Sequence, residues 1–191
     1  MPVYPGDEPV RLEQIRRYEQ EGNSDFRFTC SMHSGTHIDG PMHMSPGLQF
    51  IGDIFIERFA GRGCIIDAQQ QEIIECRTQY RSEILPGSIV IVHTGFGKYF
   101  GTEKYYKDYP AVSPELAGLL IEKNVKMLCL DTPSPDRDPH QIHKILLGNR
   151  ILIAENLANT EQLINVPSFE IIALPLRLQA DSSPARIVAV I

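Results

Sequence analysis

A chain of 191 residues with 42% hydrophobic and 22% charged side chains is ordinary for a globular protein and long enough to bury a real core. The net charge of −6, with no Lys/Arg cluster, argues against a nucleic-acid partner. No apolar run approaches the ~20 residues of a membrane-spanning helix, so no membrane span is expected. The opening MPVYPGDEPVRLEQ has neither the basic nor the apolar region of a secretory signal. Cys30, Cys64, Cys76 and Cys129 are scattered and form no CxxC pair, so they read as reduced, mostly buried thiols of a cytoplasmic protein.

No internal repeat, low-complexity tract or composition break divides the chain, and residues 1–191 read as one domain. Short runs rich in β-branched and apolar residues, bounded by turn residues, predict strands at 26–32, 63–67, 88–94, 125–131, 150–155, 170–178 and 186–191. The run SIVIVHT at 88–94 follows a Leu-Pro-Gly turn and is apolar almost throughout, which predicts a central strand covered on both faces. A helix over 113–124 is signalled by Ser113 as N-cap, Pro114 in the first turn and the stripe Leu116, Leu119, Leu120. Further helices are expected over about 139–148 and 159–164. The order is irregular rather than a strict βαβ alternation, which predicts an α/β domain with a mixed sheet.

Three of the six histidines fall in SMHSGTHIDGPMH, residues 31–43. His33 and His37 are four apart, but Gly35, Gly40 and Pro41 punctuate the segment and no glutamate follows His33, so a HExxH helix is excluded. His33, His37, Asp39 and His43 all occupy odd positions. An extended backbone would turn them to one side, with Met32, Ile38 and Met42 on the other and Gly35 leaving space between the histidines. Imidazole and carboxylate are good ligands for Zn²⁺ and similar ions, and such a cluster is costly to bury without partners. One histidine alone would read as a surface residue; four ligand-type side chains at this spacing read as a metal site.

A second dense region spans 130–157, with Asp131, Asp136, Asp138, His140, His143 and Glu155. Asp131 closes a predicted strand, where α/β proteins place functional groups. Glu155 ends an apolar run and needs a cation or hydrogen-bond partner if buried. Asp138 and His140 read as members of a solvated loop, and His93 as a strand-end histidine rather than a ligand.

The segment HSGTHIDGPMH resembles the HxGTHxDxPxH signature of the metal-dependent cyclase family, which includes bacterial kynurenine formamidase and isatin hydrolase. VYPGD, IVIVHTGFGKY, LDTPSPD, HKILL, ILIAENL and IIALPLRLQADSSPARIVAV are similar, in order, to further segments of that family. The resemblance therefore runs over nearly the whole chain. It implies a single α/β domain with a swivelling β/β/α-type core, assembled as a homo-oligomer, a dimer or a tetramer. It implies that His33, His37 and Asp39 hold one divalent ion, usually zinc and in some relatives manganese. Asp39 would bridge to a second ion completed by His143 and by Glu155, which also bridges. His43 would be the catalytic acid/base and Tyr4 a substrate-binding residue.

The activity so implied is hydrolysis of an amide or formamide in a small-molecule substrate, most of all an arylformamide. The ion lowers the pKa of a bound water from ~15.7 to ~7, and the resulting hydroxide attacks the carbonyl. His43 takes the proton and returns it to the departing nitrogen. Two other readings stand beside it: a hydrolase of cyclic amides or lactones, and a metal- or small-molecule-binding protein without turnover. The chain has no tryptophan; Tyr4 stands at the Trp position of the family's WPGD segment and Phe96 at that of TGW. These departures leave the expected ligands intact and change the aromatic pocket.

Overall fold

The computed structural model describes residues 1–45 and 49–191. In chain order its elements are β1 (Arg11–Arg16), α1 (Tyr18–Glu21), β2 (Asp25–Thr29), β3 (His37–Asp39), β4 (Ala60–Asp67), β5 (Ile73–Ile74), α2 (Tyr80–Glu83), β6 (Ile89–His93) and α3 (Glu103–Lys107). They continue with β7 (Ala111–Val112), α4 (Pro114–Glu122), β8 (Met127–Leu130), α5 (Gln141–Gly148), β9 (Leu152–Glu155), β10 (Glu170–Pro175) and β11 (Ser182–Val190). Short 3₁₀ turns lie between them, including Pro41–His43 and Thr160–Leu163.

Seven strands close into a barrel in the order β10-β11-β3-β9-β8-β6-β4. The β4-β6-β8-β9 pairings are parallel, and β9-β3, β3-β11, β11-β10 and β10-β4 are antiparallel. The expected mixed α/β architecture is therefore present, with the sheet closed on itself. Closure removes the free sheet edges that would otherwise need covering.

Period-2 alternation divides the side chains between two apolar layers. Ile38, Ile89, Ile91, Met127, Cys129, Leu152, Ala154, Ile171 and Ala173 form one cluster inside the barrel. Val90, Val92, Leu128, Leu130 and Ile153 point the other way, onto Leu116, Leu119 and Leu120 of α4 and Ile142, Leu146 and Leu147 of α5. This two-sided burial explains why β6 is apolar throughout, as its sequence predicts. Ser113 caps α4 by accepting the Leu116 N–H at 3.2 Å, a contribution of about 1 kcal/mol. The three buried leucines of α4 each add about 1.5–3 kcal/mol relative to exposure.

Several expectations change in detail. The strand predicted at 26–32 covers only Asp25–Thr29, and it pairs outside the barrel with the unanticipated β1. Both strands of this hairpin are exposed along their whole length. The helix expected at 159–164 is a single 3₁₀ turn, Thr160–Leu163, with Asn159 before it in the left-handed region. All four cysteines are free, and Cys129 is the buried one; Cys30, Cys64 and Cys76 are half-buried. Among the described residues no helix is long and apolar enough to cross a membrane.

Gly63 on β4 is buried, and a Cβ there would overlap the Phe169 ring and crowd Ile171. Overpacking a filled core costs about 1–3 kcal/mol. Gly63→Ala is therefore expected to lower the thermal midpoint by several degrees in a calorimetric scan; an unchanged midpoint would show that the ring relocates freely.

Candidate metal centre

The expected one-sided alternation of residues 33–43 holds only for the three residues of β3. Residues 32–36 form turns, with Gly35 at φ +65°, and Pro41–His43 is a 3₁₀ turn. Glycine takes that left-handed conformation without penalty, and the fixed φ of Pro41 suits the start of a helical turn. His33 and His43 thus reach the site from bends at either end of β3. Within β3, Ile38 enters the barrel while His37 and Asp39 face outward, and Met32 and Met42 are half-buried.

Strand pairing supplies the next ligand-type residue, since His37 stands opposite Glu155 in the β3-β9 register. Glu155 shares the outward face of β9 with Ile153. His143 comes from the first turn of α5, which packs its buried Ile142, Leu146 and Leu147 on the same outer face. The five residues expected to bind metal are therefore brought together outside the barrel wall.

Their atoms fall into two groups that share two carboxylates. Asp39 Oδ1 lies 3.0 Å from His33 Nδ1 and 3.4 Å from His37 Nε2, while Asp39 Oδ2 lies 3.7 Å from His143 Nε2. Glu155 Oε2 lies 3.3 Å from His37 Nε2, and Oε1 lies 3.1 Å from His143 Nε2. His37 donates its Nδ1–H to the Gly35 carbonyl at 2.8 Å, and His143 donates its Nδ1–H to Asp136 at 2.9 Å. Each imidazole therefore turns its other nitrogen to the carboxylates, the orientation that outer partners impose on metal-binding histidines.

Burial makes this arrangement costly without a cation. Asp39 is 0% and Glu155 5% exposed, yet both Asp39 oxygens, Glu155 Oε1 and His37 Nε2 have no well-formed hydrogen bond. Without a metal the site holds protons instead. Burial opposes the charged form of each imidazole, but the carboxylates outweigh it. His33, bonded to Asp181 and close to Asp39, rises to about 9, and His143, bonded to Asp136 and close to Asp39 and Glu155, rises to about 11. His37 rises well above its usual value beside Asp39 and Glu155, while Asp39, buried but ringed by imidazoles, is held well below the carboxylate range. The convergent nitrogen and oxygen donors and the orphaned atoms fit one or two divalent ions.

His43 lies at the edge of this cluster, its ring centroid 4.3 Å from that of His33 and 5.8 Å from that of His143. A cleft of about 270 Å³ opens above, lined among others by Tyr4, Phe100, Tyr106, Pro133 and Asn156. Tyr4 stands edge-on to Tyr106 at 5.6 Å and is 42% exposed. His140, expected in a solvated loop, is half-buried and lines the cleft, with Nδ1 3.6 Å from Asp136. Asp138 is exposed as expected. Asp131 has a structural task, accepting the N–H groups of Thr94 and Gly95 at 2.9 and 2.8 Å. His93 is a buried strand-end residue paired with Thr160 at 2.7 Å.

Three further residues contribute: Asp136, named in the dense 130–157 region without a role, and Asn156 and Asp181, which residue pattern did not single out. Asp136 orients His143 and accepts the Ile142 N–H at 2.6 Å. Asn156 donates to the same Gly35 carbonyl as His37, at 3.0 Å. Asp181 bonds His33 at 2.9 Å and His43 at 3.2 Å.

Comparison with known proteins settles the family. The family model described as "Putative cyclase" matches residues 1–137. The chain belongs to this cyclase family. Kynurenine formamidase from Bacillus cereus is similar at 31% identity over 193 residues, covering 97% of this chain and 90% of that protein. A solved structure described as a potential metal-dependent hydrolase with cyclase activity superposes with a TM-score of 0.79 at 25% identity, over 99% of this chain and 90% of the other. Isatin hydrolase A from Labrenzia aggregata shares the fold of this cyclase-family chain, with a TM-score of 0.82 at 24% identity over 99% and 87% of the two chains.

Because the buried carboxylates raise His33 to about 9 and His143 to about 11 and raise His37 as well, an incoming ion must displace protons. Titration calorimetry in buffers of different ionisation enthalpy is expected to show release of about two to three protons per chain at pH 7. Affinity is expected to rise with pH, less steeply once the His33 value near 9 is passed and until the His143 value near 11. Proton-neutral binding with pH-independent affinity would contradict this assignment.

Proposed function

We propose that the protein is a metal-dependent hydrolase that cleaves a non-peptide C–N bond in a small amide, with arylformamides as the favoured substrates. The observation that carries this reading is the pair of buried carboxylates, Asp39 and Glu155, each spanning imidazoles of both groups beneath an aromatic cleft. His33, His37, Asp39, His143 and Glu155 would hold the metal. When bound, it supplies Lewis acidity, lowering the pKa of a coordinated water and polarising a carbonyl. Two carboxylates, each with its two oxygens on different histidines, support a two-ion site. Zinc is the favoured ion and manganese the alternative.

The chain's own groups complete the reaction. His43 borders both the cleft and the ligand cluster, where it takes up a proton as water adds to the carbonyl and returns it to the departing nitrogen. Tyr4, Tyr106 and Phe100 form an apolar and aromatic wall suited to an aryl ring.

The enzyme is read as a cytoplasmic homo-oligomer. Its free thiols fit a reducing compartment. An isolated two-stranded hairpin is marginally stable in water, and β1-β2 exposes Leu12, Phe26 and Phe28 at 67%, 56% and 55%, which supports a covering subunit.

Formanilide, N-formylkynurenine, isatin and a lactone, tested after chelation and after reloading with Zn²⁺ or Mn²⁺, check the proposal. Metal-free protein is expected to be inactive, and reloaded protein to cleave the formamides. His43→Ala is expected to lose about 10²–10⁴-fold in kcat with its metal retained. A fully active His43→Ala removes His43 from the mechanism, and a metal-loaded protein inert toward the whole panel points to a binding protein.

A further inference from the structure

The loop that leads into β11 holds a carboxylate to which the proposed reaction assigns no task. One oxygen of Asp181, Oδ2, lies 2.9 Å from His33 Nε2 and 3.2 Å from His43 Nδ1. His33 Nε2 has a second neighbour in Ser182 Oγ at 3.0 Å. For His43 Nδ1, Asp181 is the sole hydrogen-bond partner among the described residues, and His43 Nε2 has none.

An ionised carboxylate only accepts hydrogen bonds, so the nitrogen facing it carries the hydrogen. Asp181 therefore selects the Nδ1–H tautomer of His43 and leaves the Nε2 lone pair unengaged. That is the tautomer a general base requires on its working nitrogen, with the opposite nitrogen anchored.

The position of Asp181 is built into the backbone. Its carbonyl accepts the Gly40 N–H at 2.8 Å; Ala180 and Leu178 accept from Ile51 and Gly52 at 2.9 Å each. A Cβ on Gly40 would stand 2.8 Å from the Asp181 carbonyl oxygen, and one on Gly52 would stand 2.6 Å from that of Leu178. Both glycines thus permit a close approach that larger residues would block. Next in the chain, Ser182 pairs with Asp39 in the β11-β3 register. The loop carrying Asp181 is consequently tied to the strand that carries His37 and Asp39 and to the turn that carries His43.

We propose that Asp181 is a positioning residue that acts through His43, fixing its tautomer and orientation for proton transfer. The proposal rests on His43 being the acid/base of the metal-dependent hydrolysis described above. It makes the site a proton-handling pair set against a metal cluster, joined through the second contact of Asp181 with His33.

The test uses the zinc-loaded full chain, with formanilide as substrate and metal measured per chain. Asp181→Ala is expected to lower kcat about 10–10³-fold, with KM changed less than about threefold and metal content unchanged. The Asp181→Ala/His43→Ala double variant is expected to be no slower than His43→Ala alone, because residues acting as a unit are not additive. Asp181→Asn, which keeps the shape and one acceptor oxygen, is expected to recover part of the loss and guards against a folding defect. In ¹⁵N NMR, His43 is expected as the Nδ1–H tautomer in the wild type, shifting toward Nε2–H in Asp181→Ala. Additive losses, an unchanged kcat, or an unshifted tautomer would overturn the proposal. Lost metal in Asp181→Ala would overturn it too, assigning the carboxylate to His33 instead. An impaired His43→Ala beside an unimpaired Asp181→Ala would refute the positioning role alone, whereas a fully active His43→Ala would refute the acid/base reading together with it.

Discussion

Two carboxylates buried in contact with three imidazoles set the terms for everything around them. Asp39 and Glu155 lie on adjacent barrel strands at 0% and 5% exposure, where uncompensated charge would cost several kcal/mol per group. Either protons on the imidazoles or divalent cations must supply the balance. The fold leaves both possible, since it presents the same nitrogens to the same oxygens in either case. That exchange between protons and metal is the link from packing to function.

Barrel closure is what makes the cluster possible. Because β3 lies between β9 and β11, its outward face receives Glu155 from one side and the Asp181 loop from the other. Ile38, the one inward residue of β3, anchors the strand in the interior layer. The outer layer is apolar wherever α4 and α5 cover it and becomes polar where α5 begins, at His143. Buried side chains such as Leu146 and Leu147, one turn along the same helix, therefore fix the height at which His143 meets the two carboxylates. Asp136 and Gly35 then fix the rings: each takes the Nδ1 hydrogen of one histidine and turns the other nitrogen to the shared oxygens.

Sequence pattern revealed those parts whose environment leaves a local signature. β6, β8 and α4 are covered on two faces or carry a cap and stripe, so Val90, Leu128 and Ser113 announce them. β1 lies on an exposed hairpin with no periodic burial, and nothing in RLEQIR marks it as a strand. The ligand-type residues of 33–43 were visible by composition, but their geometry was not. A left-handed Gly35 and the Pro41 turn replace an extended ledge with two bends. Asp136 and Asn156 lie inside the dense 130–157 region but in its loop-like stretches, and Asp181 stands apart from it; tertiary pairing alone gives them partners. The acid directly before the SSPAR segment was the available clue to Asp181.

The central claim is that this cluster is a metal centre rather than a set of buried ion pairs. Crystals grown from metal-free protein, soaked in Zn²⁺ and measured on both sides of the zinc absorption edge, test it most directly. The account predicts anomalous density enclosed by His33, His37, Asp39, His143 and Glu155, with refined distances near 2.0–2.2 Å. An empty cluster, or density confined to the Asp136–His140–His143 side or to surface sites, would contradict it.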